Sequence, residues 1–209
     1  GLILPDHFIP VAEQSGFILW LGLSKACKQV MYWREHGLSH GIVAVNISAL
    51  QIHQADFVDK VASILRDTGL PPQALELELT ETVALKDTTI LIENMNHCRS
   101  LGVRLSIDDF GTGSSSLARL QCCPVTRLKI DKTFIDELET NDRPPLLESM
   151  LSIGHHMGLK VVAEGVETKE QLHYLKSLGC DYAQGYLFSR PIGIVDLQKY
   201  FLEASKKSA

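Results

Sequence analysis

The stretch Ser106-Ile107-Asp108-Asp109-Phe110-Gly111-Thr112-Gly113 joins an apolar run (Val103, Leu105, Ile107) to a glycine loop through two adjacent carboxylates. A strand needs no such pair for its own stability. Asp108 and Asp109 repel each other unless a cation or a proton intervenes. The glycines behind them let the backbone turn sharply and let a ligand come close. Two readings follow: a divalent-metal site at the mouth of a sheet or barrel, or a solvated strand-to-loop corner with one Asp capping the turn. Taken alone, the stretch favours the plain corner.

Working outward, the chain alternates between two hydrophobic periods. Apolar or alternating runs predict strands over residues 42–47, 75–79, 103–107, 127–130, 160–163 and 182–184. Helical spacing predicts helices over 56–68, 87–101, 115–120 and 195–204, and a helical turn over 133–138. A further helix carries Leu146, Leu147, Met150 and Leu151 and stops at Gly158. Another carries Leu172, Leu175 and Leu178 behind a capping box of Thr168 and Gln171. Ahead of the first strand, residues 5–37 read as two helices. The first starts near Pro5 and ends at Gly16; the second carries Leu23, Ala26, Cys27, Val30 and Met31 and ends at Gly37. Trp20 and Trp33 are expected to pack rather than bind.

Strands alternating with helices argue for a parallel α/β sheet, open or closed. The residues that end the strands are Asn46, Glu78, Asp108 with Asp109, Lys129, Glu164 and Gln184. All are polar or charged and all are flanked by apolar sequence. In a (β/α)8 barrel such C-terminal strand ends converge on one face, where the chemistry is built. One carboxylate at a strand end means little, but a whole series is hard to explain by capping. The series raises the metal reading above the plain corner. A full barrel has eight strands and typically ~250 residues. About six strands are legible here, so either the sheet is open or two strands precede Gly1.

The 209 residues, 45% of them hydrophobic, suit one compact domain with a substantial core. We find no repeat, linker or low-complexity tract and treat residues 1–209 as a single domain. The net charge of −5 gives no basic field of the kind that draws in long nucleic acids. A small anionic ligand remains compatible if metals supply the positive charge. No apolar run reaches the ~18 residues of a membrane span, and no signal-peptide pattern is present. The cysteines are Cys27, Cys98, Cys122, Cys123 and Cys180. Their number is odd and their spacing matches no zinc pattern. We read them as reduced, in a cytoplasmic setting, with Cys122 and Cys123 partly buried; a longer parent protein could still be membrane-tethered.

The motif strings resemble the EAL domain family of cyclic-di-GMP phosphodiesterases. They are Val45-Asn46-Ile47-Ser48, Glu78-Leu79-Thr80-Glu81, Asp108-Asp109-Phe110-Gly111-Thr112-Gly113, Leu128-Lys129-Ile130-Asp131, Ala163-Glu164-Gly165-Val166-Glu167-Thr168 and Gln184-Gly185-Tyr186-Leu187-Phe188. The resemblance runs from Leu4 to about Pro191. Two departures stand out. The Glu-Ala-Leu signature that names the family is absent, so the chain is expected to be an N-terminally truncated piece lacking one metal-ligating glutamate. Ser114 stands where the family usually has an aromatic residue, in a loop tied to metal-site ordering and dimer contacts.

The resemblance implies a TIM-like (β/α)8 barrel of the EAL type, incomplete, with about six of its strands present. It implies hydrolysis of cyclic di-GMP to linear pGpG in bacterial second-messenger signalling, at a site holding two Mg2+ or Mn2+ ions. By the same resemblance Asn46 and Glu78 ligate one ion, Asp108 bridges both and Asp109 binds the second. Glu164 completes the shell of the second ion or acts as a base near it. Lys129 orients water and steadies phosphate charge; its plainer alternative is a snorkelling lysine paired with Asp131. Gln184 hydrogen-bonds substrate or water, or is simply a satisfied strand-end amide. Glu81 and Glu167 hold loops. A homodimer, and an upstream sensory or cyclase domain in a longer parent, also fit the resemblance. Without the missing glutamate, the chain by itself is expected to be weakly active or inactive. The alternative function is a non-catalytic cyclic-di-GMP receptor or interaction module. An unrelated metal-dependent barrel hydrolase is remote given the motif strings.

Overall fold

The computed structural model describes residues 17–38, 41–86, 88–113, 117–139 and 144–207. In chain order the first elements are α1 (Phe17–Glu35), β1 (Val43–Asn46), α2 (Ala49–Ile52), α3 (Phe57–Thr68), β2 (Leu75–Thr80), α4 (Glu81–Ala84) and α5 (Thr89–Ser100). There follow β3 (Arg104–Phe110), α6 (Leu117–Cys122), β4 (Arg127–Ile130), α7 (Lys132–Asp136), α8 (Pro145–His156), β5 (Lys160–Ala163), α9 (Lys169–Ser177), β6 (Tyr182–Ala183) and α10 (Ile194–Lys207). They fall into two compact units. One comprises residues up to Glu78 with 87–104 and the segment from Gln198; the other comprises 79–86 and 105–197.

In the first unit, β1 and β2 pair in parallel from Val43 opposite Leu75 to Asn46 opposite Glu78. β1 alternates between half-buried and exposed residues, whereas β2 is buried on both faces although its sequence alternates Leu with Glu. Leu75, Leu77 and Leu79 are fully buried, and so is Glu76 between them. α3 turns Phe57, Val61 and Leu65 inward at helical spacing and stops at left-handed Gly69, whose N–H bonds Leu65 O at 2.9 Å. α5 buries Leu91, Asn94, Met95 and Cys98. The Asn94 amide donates to Ile52 O and Gln54 O, 2.7 and 3.1 Å away. Both tryptophans pack: Trp20 against Phe57, and Trp33 edge-on to Phe201.

In the second unit, β3, β4, β5 and β6 pair successively and in parallel. Parallel neighbours need crossovers, and the intervening helices supply them. A Cβ at Gly154 of α8 would lie 2.6 Å from Val161 Cγ2, so the helix rests directly on β5. The Thr168–Gln171 capping box forms as expected, with each side chain bonding the other residue's N–H. Just before β6, Asp181 accepts bonds from Lys160 Nζ at 2.6 Å and Val161 N at 2.9 Å, and contacts His155 Nε2 at 3.1 Å. Burial works to raise the Asp181 carboxyl. The three donors outweigh it and hold the group below the usual carboxylate range.

Several expectations change. The strand predicted to end at Ile107 continues through Asp108 and Asp109 to Phe110. Cys122 ends α6 and is exposed, whereas Cys123, just past the helix, is buried with Sγ near Ala84 O. All five cysteines are free thiols. The helices α2 and α4 were not anticipated, because four residues complete too little of a helical period to show. The box that starts α2 was nonetheless legible: Ser48 Oγ accepts from Gln51 N while Gln51 Oε1 accepts from Ser48 N. The expected helix from Pro5 to Gly16, the start at residue 87, residues 115–116 and Ser114 lie outside the described residues.

Candidate metal centre

The site in the second unit begins with an irregularity in β3. Ile107 pairs with Leu128 and Phe110 with Ile130, so three steps along β3 match two along β4. One residue is extra, which is a β-bulge. Asp109 takes up the difference with φ 55, the one positive value on a non-glycine among the described residues. Neighbouring side chains in a regular strand point to opposite faces. The bulge and the left-handed residue overcome that alternation. Asp108, Asp109 and Glu164 each place a carboxylate oxygen within 4.8 Å of the others. Thr112 fastens the turn by donating from N and Oγ1 to Asp109 O, at 3.3 and 2.9 Å.

Lys129 rises from β4 beside the pair, 5% exposed. Its Nζ donates to Asp108 Oδ1 at 2.8 Å and lies 2.7 Å from Glu164 Oε1. Both acids pair with it. Asp131, the alternative partner, caps α7 and accepts from Thr133 N and Oγ1 at 3.0 and 2.6 Å. Glu164 N extends the ladder one residue past β5 by bonding Ile130 O at 3.1 Å. Gln184 does the same past β6: its N bonds Ala163 O at 2.8 Å, and its O accepts from Val166 N at 2.9 Å.

Burial, then the charges of Asp108 and Asp131, push the Asp109 carboxyl above its usual range; the Lys129 charge opposes them. The fold thus holds negative charge together against its own repulsion. Hard oxygen donors at this spacing suit Mg2+ or Mn2+, and a divalent cation would relieve the strain on Asp109. The residues present fit such an ion.

Glu81 opens α4 and is 2% exposed. Its Oε2 accepts the Gly111 N–H at 2.6 Å. A Cβ at Gly113 would approach its Oε1 to 2.6 Å, so the carboxylate sits within the glycine loop. Glu167 forms an exposed ion pair with Lys132 at the start of α7. In the first unit, Asn46 ends β1 opposite Glu78, which lies two residues before the end of β2; Glu78 is buried and Asn46 exposed.

Sequence reasoning missed three features. Glu76 and Ser106 are fully buried polar residues. Each lies two positions before an expected ligand and therefore on the same strand face, which is the signal that could have found them. An open cleft of about 510 Å3 beside Gln184 is lined by Tyr186, Phe188 and Arg190. The Arg190 guanidinium stacks 4.8 Å from the Tyr186 ring centre.

The sequence profile of the EAL domain matches residues 1–191. This chain belongs to the EAL domain family. The chain is 42% identical over 196 residues to MucR of Pseudomonas aeruginosa, a bifunctional diguanylate cyclase/cyclic di-GMP phosphodiesterase. That match takes in 92% of this chain and 29% of MucR. The chain spans under a third of the length of the curated relatives it matches. The PaMucR phosphodiesterase solved in complex with c-di-GMP superimposes with a TM-score of 0.86 at 41% identity, over 94% of this chain and 81% of that one. The manganese/cyclic-di-GMP complex of Klebsiella pneumoniae BlrP1 matches with a TM-score of 0.77 at 28% identity, over 90% of this chain and 48% of that one. The fold is an incomplete EAL-type TIM barrel, with six parallel strands among the described residues. No helix among the described residues is long and apolar enough to cross a membrane.

Proposed function

We propose that this EAL domain hydrolyses cyclic di-GMP to linear pGpG with the help of two divalent ions, Mg2+ or Mn2+. The observation that carries this reading is the convergence of Asp108, Asp109 and Glu164 within 4.8 Å, with the Lys129 ammonium bonded to two of them. Relatives named as cyclic di-GMP phosphodiesterases and a neighbour solved with manganese and the dinucleotide support it.

Asp108 and Asp109, with Glu164, would hold the ions; Asn46 and Glu78 carry the remaining oxygen donors of the proposed set. When bound, the ions supply Lewis-acid polarisation of the phosphodiester and a water acidic enough to attack near neutral pH. The chain's own groups do the rest. Glu164 takes a proton from the attacking water. Lys129, largely shielded from solvent, stabilises charge that builds on the phosphoryl oxygens. The water oxygen bonds phosphorus in line with the departing 3′-oxygen, the P–O3′ bond breaks, and that oxygen leaves as a hydroxyl on taking a proton from solvent, to which Glu164 returns its own. Gln184 hydrogen-bonds the substrate, and the rings of Tyr186 and Phe188 offer faces on which a purine stacks. Glu81 and Glu167 hold the surrounding loops. The homodimer rests on the family resemblance.

The test is chromatography of products formed from cyclic di-GMP with Mn2+, with Mg2+ and with EDTA. We expect pGpG in the first two and none in the third. Hydrolysis that survives Glu78→Ala at full rate would sink the two-metal assignment.

A further inference from the structure

We propose that Phe134 and Met150 are positioning residues for Asp109, acting through the backbone of Gly111. The inference rests on the metal reading above and extends it to a helix that carries no expected ligand.

A left-handed conformation costs a non-glycine residue about 1 kcal/mol, so Asp109 keeps it only if its surroundings hold it there. Three holds are present. Thr112 bonds the Asp109 carbonyl. Glu81 bonds the Gly111 N–H at 2.6 Å. The third is steric. Gly111 has φ 103, and a Cβ built on it would fall far inside contact with Met150 Cε and would lie 2.5 Å from Phe134 Cε2. The loop backbone therefore rests on these two side chains, with no room even for a methyl group. Phe134 comes from α7 and Met150 from α8; they are 8% and 6% exposed. Glu81 fixes the Gly111 N–H, and Phe134 and Met150 fill the space against its Cα. Without these two side chains the loop is free to settle toward the core. The bulge then relaxes, and the Asp109 carboxylate drifts away from Asp108 and Glu164.

A plain core-filling role makes a different prediction: truncation lowers stability and leaves ion affinity alone. Calorimetric titration of the full chain with Mn2+ separates the two. We expect Met150→Ala and Phe134→Leu to weaken Mn2+ binding by about tenfold, the scale seen when groups that orient metal ligands are removed. Met150→Leu, which keeps the bulk, should restore wild-type affinity. Met95→Ala, a truncation at a fully buried site on α5, should lower the melting temperature and leave Mn2+ affinity unchanged. If Met150→Ala does not fold, Phe134→Leu carries the comparison. Wild-type Mn2+ affinity in folded Met150→Ala and Phe134→Leu would overturn the inference, as would an equal loss in Met95→Ala. If the wild-type chain itself takes up no Mn2+, the metal reading falls and takes the inference with it, so the two failures are distinguishable.

Discussion

Lys129 Nζ lies 2.8 Å from Asp108 Oδ1, with the two side chains only 7% and 13% exposed. The same ammonium reaches Glu164, so one cation sits against two of the three carboxylates that converge. Breaking a buried ion pair from one side typically costs 3–5 kcal/mol. We expect Lys129→Met to lower the unfolding free energy of the metal-free chain by about 3 kcal/mol. Mn2+ should raise its melting temperature by more than it raises the wild type's, because the ion replaces the lost charge. Hydrolysis should fall about a hundredfold, as when one preorganised donor is lost. Denaturant titration with and without Mn2+, beside a rate assay, checks all three.

Asp109 makes the opposite contribution. Burial and the Asp108 and Asp131 charges raise its carboxyl in the folded chain, so ionising it costs stability as pH rises through that range. Asp109→Asn should therefore melt higher than wild type at neutral pH in EDTA. The gap should close once pH drops below about 4, where the carboxyl is protonated in both states. Mn2+ should stabilise the wild type and leave the variant unmoved. A lower melting point for Asp109→Asn in EDTA would count against the repulsion described for this site.

Asp181 has the reverse sign. Burial raises its carboxyl, but bonds from Lys160, Val161 and His155 pull it lower overall. A depressed carboxyl adds stability above its unfolded value, and that stability is lost as pH falls through the folded value. Asp181→Asn should cost about 1–3 kcal/mol at neutral pH, the scale of a buried donor left without its acceptor. The cost should shrink below about pH 4. Melting curves of both proteins across pH 2–7 provide the comparison, and Mn2+ affinity should be unaffected.

The two glutamates Glu81 and Glu167 should behave differently. Glu81 is buried and holds the Gly111 N–H. Glu81→Ala should weaken Mn2+ binding by roughly ten- to a hundredfold. Glu167 pairs with Lys132 in solvent, both side chains more than 40% exposed. Glu167→Ala should cost under about 1 kcal/mol and leave ion affinity intact. Equal Mn2+ affinities in the two variants would remove the special place given to Glu81.

Much of this was legible in the residues. β4 and β5 match their predicted bounds: β5 carries the apolar run Val161-Val162-Ala163, and β4 alternates as Arg127-Leu128-Lys129-Ile130. The Thr168–Gln171 box was legible for a local reason: both partners lie within one helical turn. What escaped depends on contacts distant in sequence. Nothing local in Asp108-Asp109 says that β3 bulges there, since the bulge exists only relative to β4. Gly111 reads as a flexible turn residue; its close fit against Phe134 and Met150 appears only once α7 and α8 are in place. Lys129 was legible as a strand-end cation, but its choice of Asp108 and Glu164 over nearby Asp131 is set by the strands beside it.

The most direct measurement is a single-turnover assay, with the chain in excess over cyclic di-GMP in Mn2+ and pGpG followed over time, run beside Asp108→Asn. Asp108 is the residue on which the carboxylate cluster and the Lys129 contact both depend. The wild-type chain should form pGpG, EDTA should stop it, and folded Asp108→Asn should form none. Equal pGpG formation by wild type and folded Asp108→Asn would contradict the metal reading.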